Sequence, residues 1–360
     1  MWDLMPYYLF FSFMFMLYGN MRNRTSIELS KKTSKVTYLY WVMIALWILI
    51  GMRDVLYGRD TLGYVLDFKG VNGFDFTNSV EPGYTLLIYI MHAITDNYHI
   101  YLMVASLSTV VAMYKIMKRY FSDSYEIIAA ICIYTLLGML AFNMAALRQT
   151  IAVSCGIFAF MYASDGKWKH FLACVAIAYT FHNSSFVLLA LYPLRYFDAK
   201  RYGLIGVATI FAIGVVAPSS VVPFFQTYLP MEDRFSQYGT IYESNQNYTG
   251  FLLQLILVII AYFRRDYIQL EPKTKNLFFN CAYIGLGVQS LTVSLAELYR
   301  VSFYFCIFNI ILIPIALMTY KGGDARSLRL FFILGALFYI FVLSGGGVLP
   351  LKQDYVINNL

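Results

Sequence analysis

The sequence predicts an all-α, polytopic integral membrane protein that forms a single membrane domain over residues 1–360. Two features of its composition support this: 60% of the residues are hydrophobic and only 13% are charged, whereas soluble domains carry roughly 25% charged residues. Apolar runs also recur along the whole length of the chain. These runs leave no room for a separate soluble domain.

The apolar runs predict about 10 to 13 transmembrane or re-entrant helices, because one span needs about 20 mainly apolar residues. Two stretches are too short or too interrupted for a simple span: Gly83–Thr95, and His170–Tyr192, which is broken at Phe181–Ser185. Broken helices are tolerated at membrane depth where they line a protein-walled cavity. The simple spans, in chain order, are Trp2–Tyr18, Val36–Gly51, His99–Met117, Glu126–Phe142, Gln149–Ala163, Tyr202–Val216, Thr249–Phe263, Leu277–Leu291, Val301–Leu317 and Leu328–Leu343.

The basic residues predict the orientation of these helices, because Lys and Arg accumulate in cytoplasmic loops. Of the 27 basic residues, 20 fall in alternate loops, which we assign to the cytoplasm: Arg22, Arg24, Lys31, Lys32, Lys35, Lys115, Lys118, Arg119, Lys167, Lys169, Arg195, Lys200, Arg201, Arg264, Arg265, Lys273, Lys275, Lys321, Arg326 and Arg329. Both termini are then extracytoplasmic, as are the loops 52–82 and 218–249. Gly83–Thr95 becomes re-entrant, and the broken segment becomes a hairpin with its tip near His182 pointing outward.

The net charge of +7 is therefore a signal of topology, and no nucleic-acid partner is expected. The basic residues left on the outer side are mainly arginines: Arg53, Arg59, Lys69, Arg148, Arg234, Arg300 and Lys352. Arginine presents a planar fork of donors that binds phosphate or carboxylate at two points. The outer loops also hold acidic residues, among them Asp60, Glu81 and Glu297.

Three outer features stand apart from ordinary solvated loop ends. Arg148 and Gln149 begin a span, where the helix dipole opposes a cation, so Arg148 needs either an acidic side chain or a phosphate ligand. His182 lies in an apolar stretch at membrane depth, where a polar group is a functional candidate unless a backbone carbonyl satisfies it. Glu297 and Arg300 are three residues apart and would share a helix face, either as an ion pair or as the edge of an anion site.

The sequence offers no pattern for a metal or a cofactor. All five cysteines lie inside apolar runs without the spacing of metal ligands, which is typical of buried free thiols. The four histidines are scattered, and no acidic pair suggests a metal site for a nucleotide sugar. We expect neither a metal nor a cofactor.

The outer motifs resemble those of the EpsG family of Wzy-like polysaccharide polymerases. Gly51-Met52-Arg53, followed by Gly58-Arg59-Asp60 and Tyr64, is similar to the R…G-x-D-x-x-x-Y signature that follows an early span in that family. Further motifs occur in the expected order, and the resemblance runs from about Gly51 to Phe305: Glu81-Pro-Gly-Tyr84, Arg148-Gln149, Phe181-His182-Asn-Ser-Ser185, and Arg300 with Tyr304. Arg59 stands where a small polar residue is expected, so it either binds ligand or pairs with Asp54 or Asp60.

The resemblance implies a glycosyltransferase of the bacterial inner membrane whose active site faces the exterior. Its substrate would be an oligosaccharide linked to undecaprenyl pyrophosphate. The protein would be surrounded by membrane lipids, and a chain-length regulator is a further candidate partner. In the reaction that the resemblance implies, a hydroxyl of one lipid-linked unit attacks the growing chain. A base is needed near this hydroxyl, and we expect Asp60 in that role, with His182 and Glu81 as alternatives. The reaction also needs cations for the departing pyrophosphate. The expected binding residues are Arg53, Arg59, Tyr64, Arg148, Gln149, Glu297, Arg300 and Tyr304.

Two other classes of protein fit parts of the pattern. A transporter or flippase of glycolipids would use broken helices and polar groups at mid-depth, although the chain has no internal repeat and its polar residues favour one face. A polysaccharide O-acyltransferase could use His182 with a carboxylate, although the cytoplasmic loops hold mainly solvated basic residues and no evident site for an acyl donor.

Overall fold

The computed structural model describes residues 2–23, 28–58, 60–71, 81–216, 248–292, 298–321, 323–343 and 349. Across this part of the chain the regular elements are helices, without β-strands, as the sequence predicts. The α-helices are α1 Met5–Asn23, α2 Glu28–Gly51, α3 Thr61–Lys69, α4 Pro82–Ile94, α5 Tyr98–Tyr120, α6 Ser124–Leu136, α7 Met139–Ala145, α8 Leu147–Ser164, α9 Trp168–Phe181, α10 Leu191–Leu194, α11 Lys200–Val216, α12 Thr249–Phe263, α13 Pro272–Ser290, α14 Leu298–Cys306, α15 Asn309–Met318 and α16 Gly323–Phe338. Short 3₁₀ segments cover Trp2–Leu4, Asn183–Ala190 and Arg265–Tyr267, and Tyr339–Leu343 is a π-helical turn.

Three helices in the described residues are long and apolar enough to cross a membrane: Thr33–Gly51, Tyr98–Tyr120 and Ala325–Val342. The number rises to five if each of two bent helix pairs is one span. The larger number expected from sequence includes shorter helices such as α4, which has 13 residues. A helix of that length is about 20 Å long, shorter than the roughly 30 Å hydrocarbon core. The fold is therefore that of a helical, multi-pass membrane protein with three to five candidate spans.

Two stretches predicted as continuous spans, Glu126–Phe142 and Val301–Leu317, are bent in the structure. The helices α6 and α7 meet at 63°, and α14 and α15 meet at 44°. The first break falls at Gly138, whereas the second has neither Gly nor Pro at Ile307 and Phe308. Hydropathy alone could not find either bend, because both sides of each break are apolar.

The break predicted at His182 is confirmed. Helix α9 ends at Phe181, His182 is extended, and the chain continues as the 3₁₀ segment Asn183–Ala190. The segment folds back on α9, because the hydroxyl of Tyr192 donates to the carbonyl of Gly166 over 3.2 Å. This hairpin places His182 at one end of the bundle and Gly166 at the other.

Helices α5 and α8 run side by side in the same direction and define the two ends of the bundle. Their hydroxyl pairs are Thr109 with Ser154, at 3.0 Å, and Tyr120 with Ser164, at 3.1 Å. Such pairs link neighbouring helices in apolar surroundings. The first turn of α8 carries Arg148, so Arg148 lies at the end opposite Ser164.

The end near Ser164 carries described basic residues that the sequence assigns to the cytoplasm, such as Arg119 and Lys35. There Arg119 pairs with Asp165, and this hydrogen bond holds the pKa of Asp165 below its usual range. At the same end Lys35 donates to the carbonyl of Phe121 over 2.8 Å. These basic side chains are thus separated from Arg148 along the bundle axis by the length of α8.

Candidate functional site

The loop that follows α2 is held against α7 by hydrogen bonds and by a close backbone approach. The hydroxyl of Thr61 has two carbonyl acceptors, that of Tyr57 at 2.7 Å and that of Met144 in α7 at 2.9 Å. Gly58 has a φ of +87°, and a Cβ there would lie 2.4 Å from the Met144 carbonyl oxygen. Only glycine fits this combination without strain, which accounts for the glycine in the Gly58-Arg-Asp60 motif. The loop therefore presents Asp60 at the start of α3 from a defined position.

Arg53 is buried behind this loop. Arg53 is only 5% exposed. Its guanidinium donates to the carbonyl of Ile50 at 2.7 Å and to the Thr61 hydroxyl at 3.4 Å. A cation on the last carbonyls of a helix also stabilises the helix dipole. Burial lowers the pKa of Arg53 to about 10, so it stays protonated at neutral pH. These contacts indicate that Arg53 fastens the loop to the end of α2.

The loop is tied to the N-terminal segment as well. The hydroxyl of Tyr57 donates to the Asp3 carboxylate at 3.1 Å. Partial burial, together with this hydrogen bond, raises the pKa of Tyr57, so the hydroxyl remains the donor at neutral pH.

Glu81 is the centre of the candidate site. Its carboxylate is 8% exposed and contacts two side chains from distant parts of the chain: Arg148 Nη1 at 2.7 Å and His182 Nδ1 at 2.6 Å. A buried carboxylate is stable only when it is paired and hydrogen-bonded. Arg148 thus has the acidic partner that its place at a helix start requires, and His182 bonds to a carboxylate, not to a backbone carbonyl.

The contact between Glu81 and His182 depends on how closely α4 approaches α9. A Cβ at Gly83 would lie 2.4 Å from the hydroxyl of Thr180 and 3.0 Å from its carbonyl oxygen. The glycine of the Glu81-Pro-Gly-Tyr84 motif therefore lets the first turn of α4 reach the end of α9. Pro82, at the start of α4, suits a position whose N–H has no helical partner.

Aromatic rings lie beneath the Arg148 guanidinium. Its Cζ is 5.8 Å from the ring centre of Tyr64 and 5.3 Å from that of Tyr84, within the range of cation–π attraction. The Tyr84 hydroxyl donates to Asp67 at 3.2 Å and accepts from Tyr101 at 3.4 Å. Tyr64 is only 7% exposed, so it supports Arg148 from below.

A second ion pair joins α14 to the loop. Arg300 Nη2 lies 3.5 Å from Asp60 Oδ2, and their side chains are 53% and 36% exposed. Exposed pairs of this kind contribute little stability, about 0–1 kcal/mol. The backbone of Arg300 is held more firmly, since Gln149 Nε2 donates to its carbonyl at 2.7 Å. Arg300 is therefore placed by α8 while its guanidinium stays accessible.

Tyr304, one turn after Arg300, is fully buried. Its hydroxyl is 3.2 Å from Ser184 Oγ, which ties α14 to the segment just after His182. With this link, helices α4, α8, α9 and α14 all meet at one end of the bundle.

The structure therefore brings most of the predicted site residues to one region. Arg148 and His182 pair with Glu81, and Arg300 pairs with Asp60. These residues are supported from the interior by Arg53, Tyr64, Gln149 and Tyr304. Arg59, Glu297 and most of the predicted outer loop 218–249 lie outside the described residues. The sequence analysis did not single out Thr61, Asp67 and Tyr101, which complete the hydrogen bonds. Thr61 and Tyr101 are buried, and a pattern of buried positions does not distinguish them from their neighbours. Asp67 is exposed, and no local pattern marks it as a partner of Tyr84.

Chemically, the site presents two arginines that remain partly exposed, at 41% for Arg148 and 53% for Arg300. It also presents two carboxylates and an imidazole. Such a set can hold an anion and accept a proton. Within the described part of the chain, no three His, Cys, Asp or Glu side chains are grouped closely enough to hold a metal ion.

Fold and site together define a multi-pass membrane protein with a charged site at one end of its helical bundle. The model of the EpsG family matches residues 36–350, most of the chain. The chain belongs to the EpsG family, a family of Wzy-like polysaccharide polymerases. No curated protein and no solved structure matches it.

We expect Gly58→Ala to lower the thermal stability of the purified protein in detergent. A left-handed backbone costs a residue with a Cβ about 1–2 kcal/mol, and the clash with the Met144 carbonyl adds to this. Gly63→Ala is the matched control, because nothing lies within 4 Å of a Cβ there and alanine favours the helix. Equal melting temperatures for Gly58→Ala and wild type would contradict the loop geometry described here.

Glu81 and His182 should be energetically coupled. In a double-mutant cycle of Glu81→Gln and His182→Gln, we expect an interaction energy of about 1–3 kcal/mol in chemical denaturation, because each single change leaves a polar group without its partner. The control cycle combines Glu81→Gln with Asp165→Asn at the other end of the bundle, where the two effects should add. Additive effects in both cycles would refute the contact.

Proposed function

We propose that this protein joins oligosaccharide units carried on undecaprenyl pyrophosphate into polysaccharide at the outer face of the bacterial inner membrane. The observation that carries the proposal is the cluster of Arg148, Glu81 and His182 beside the Arg300–Asp60 pair. These residues lie at the end of the bundle opposite the basic loops. Membership of the EpsG family supports the same activity.

In the proposed reaction, the hydroxyl at the non-reducing end of one lipid-linked unit attacks the anomeric carbon of the growing chain. A new glycosidic C–O bond forms, and the bond from that carbon to the pyrophosphate oxygen breaks. Undecaprenyl pyrophosphate leaves with the bonding electrons, and the hydroxyl proton passes to a base. Negative charge therefore builds on the pyrophosphate while a proton is lost on the acceptor side.

We assign the pyrophosphate to Arg148 and Arg300. Both guanidinium groups are partly exposed, and stabilisation of developing charge by fixed cations is a large term in catalysis. The Arg300–Asp60 contact is long and exposed, so a phosphate oxygen can replace Asp60 at little cost in free energy. Arg148 is held by Glu81 and by the rings of Tyr64 and Tyr84, which keep its orientation as the ligand binds.

Two groups can act as the base. Nδ1 of His182 lies 2.6 Å from the Glu81 carboxylate, and an imidazole that donates from Nδ1 offers Nε2 as a proton acceptor. Glu81 would then orient the ring. The other candidate is Asp60, which becomes free to accept a proton when the pyrophosphate engages Arg300. We favour His182, because its ring has a defined partner.

We also propose the orientation that this function needs. Both termini face outward, about 10 to 13 helices span or re-enter the membrane, and the tip of the hairpin at His182 points to the exterior. The separation of the basic residues from the candidate site along α8 supports this arrangement. Membrane lipids surround the bundle, and a chain-length regulator is a candidate partner in the cell.

Replacing Arg148 or Arg300 with Lys should lower polymerisation by about a hundredfold, because Lys offers a point charge in place of a bidentate fork. The measurement is a gel profile of surface and lipid-linked polysaccharide in cells that lack the protein and carry each variant. Arg201→Lys, on the exposed start of α11, is the matched control and should restore the full ladder. Near-normal ladders with both Arg148→Lys and Arg300→Lys would rule out their assignment.

The same cells separate the proposed function from its rivals. If the cells without the protein accumulate single repeat units, polymerisation is the missing step. If long chains persist but lack acyl groups, an O-acyltransferase is favoured. If lipid-linked units are trapped on the cytoplasmic side, a flippase is favoured.

The base can be identified with purified protein and lipid-linked units. His182→Gln should reduce the turnover rate about 10²- to 10⁴-fold, the usual contribution of general base catalysis. Asp60→Asn should have a smaller effect. Immunoblots of the membranes must show equal amounts of each variant, and the reverse order of the two rates would transfer the role to Asp60.

The orientation has its own test. Alkaline phosphatase fused to the C-terminus should be active, and green fluorescent protein fused there should be dark, because the C-terminus is proposed to face outward. Fusions made after Tyr267, which follows Arg264 and Arg265, should behave in the opposite way. The reverse result at both positions would invert the proposed topology.

A further inference from the structure

A cavity of about 750 Å³ lies at the end of the bundle opposite the candidate site. It is bounded by the second half of α1, the start of α2, the start of α6 and the first turns of α16. This volume is within the usual range of small-molecule sites, roughly 300–1,000 Å³. None of the residues used in the proposed reaction lines it.

The cavity is cationic. Among the described residues that line it, Lys35, Arg326 and Arg329 are basic and Asp123 is the one carboxylate. Asp123 also caps α6, where it accepts from the backbone N–H of Tyr125 at 2.7 Å, so the lining keeps a net positive charge. The balance of charge therefore favours an anionic ligand.

The three cations differ in how they are held. Lys35 donates to the carbonyl of Phe121 at 2.8 Å, and Arg329 Nη2 donates to the carbonyls of Tyr320 and Met318 at 3.0 and 3.3 Å. The bonds of Arg329 go to neutral carbonyls, whereas Lys35 also interacts electrostatically with the carboxylate of Glu126. The Nε of Arg329 is buried and has no hydrogen-bond partner in the described residues.

The other walls are apolar, which indicates an amphiphile. Phe15, Leu330 and Ile333 line the cavity. Leu330 is also 58% exposed, and the neighbouring Phe331 is 75% exposed, so the cavity adjoins the outer apolar face of α16. In a membrane protein such a face contacts lipid, and a ligand with acyl chains can reach the cations from there.

We propose that this cavity binds the phosphate headgroup of an anionic glycerophospholipid of the cytoplasmic leaflet. Basic pockets between transmembrane helices on the cytoplasmic side recognise such headgroups. The phosphate lies among Lys35, Arg326 and Arg329, and the acyl chains follow the apolar face of α16. This site is independent of the proposed polymerase activity and would hold α1, α2, α6 and α16 together.

The test is native mass spectrometry of the purified full-length protein in detergent, titrated separately with phosphatidylglycerol and phosphatidylcholine. We expect phosphatidylglycerol to be retained in preference to phosphatidylcholine. Arg326→Gln should weaken its retention about fivefold, because each basic residue adds about that factor to the binding of anionic lipid. Lys169→Gln, exposed at the same end but outside the cavity, removes the same charge and should leave retention unchanged.

A second variant tests the cavity without changing charge. Leu330→Trp fills its lipid-facing side and should also weaken retention of phosphatidylglycerol, while Leu334→Trp, on the exposed face of the same helix, should not. Equal losses for Arg326→Gln and Lys169→Gln, or equal retention of both lipids, would overturn the site. Displacement of phosphatidylglycerol by inorganic phosphate at similar concentration would overturn the lipid as its ligand.

Discussion

The carboxylate of Glu81 lies between a guanidinium and an imidazole, away from water, and the arrangement of one end of the bundle depends on it. A buried carboxylate without partners is costly in free energy, so the first turns of α4 and α8 and the end of α9 must stay together. The distances of 2.7 Å to Arg148 and 2.6 Å to His182 join three chain segments that are far apart in sequence. The site and the local fold are therefore stabilised by the same contacts.

Helix ends and helix breaks supply the polar groups of this site. Arg148 is in the first turn of α8, Glu81 precedes α4, and His182 occupies the break between α9 and the 3₁₀ segment. Helix interiors in a membrane satisfy their own backbone groups, whereas ends and breaks leave polar groups that need partners. Side chains placed there can satisfy one another in the resting protein and exchange those contacts for a ligand.

The arginines Arg148 and Arg300 differ in how firmly their side chains are held. Arg148 is fixed by a short ion pair and two rings, while Arg300 has only a long, exposed contact with Asp60. Arg53 lies at the other extreme, because its guanidinium is buried against carbonyl and hydroxyl oxygens. The three residues look alike as outer arginines in the sequence, and only their surroundings separate a ligand-facing cation from one that holds a loop.

The helical class, the break at His182 and the family motifs followed from the sequence alone. Apolar composition, an interrupted hydrophobic run and ordered local patterns are all encoded within short stretches of chain. The partners of Arg148 and His182, the bends at Gly138 and at Ile307, and the burial of Arg53 were decided only by the tertiary structure. They depend on contacts such as Glu81 with His182, 101 residues apart, and local hydropathy carries no information about which distant side chains meet.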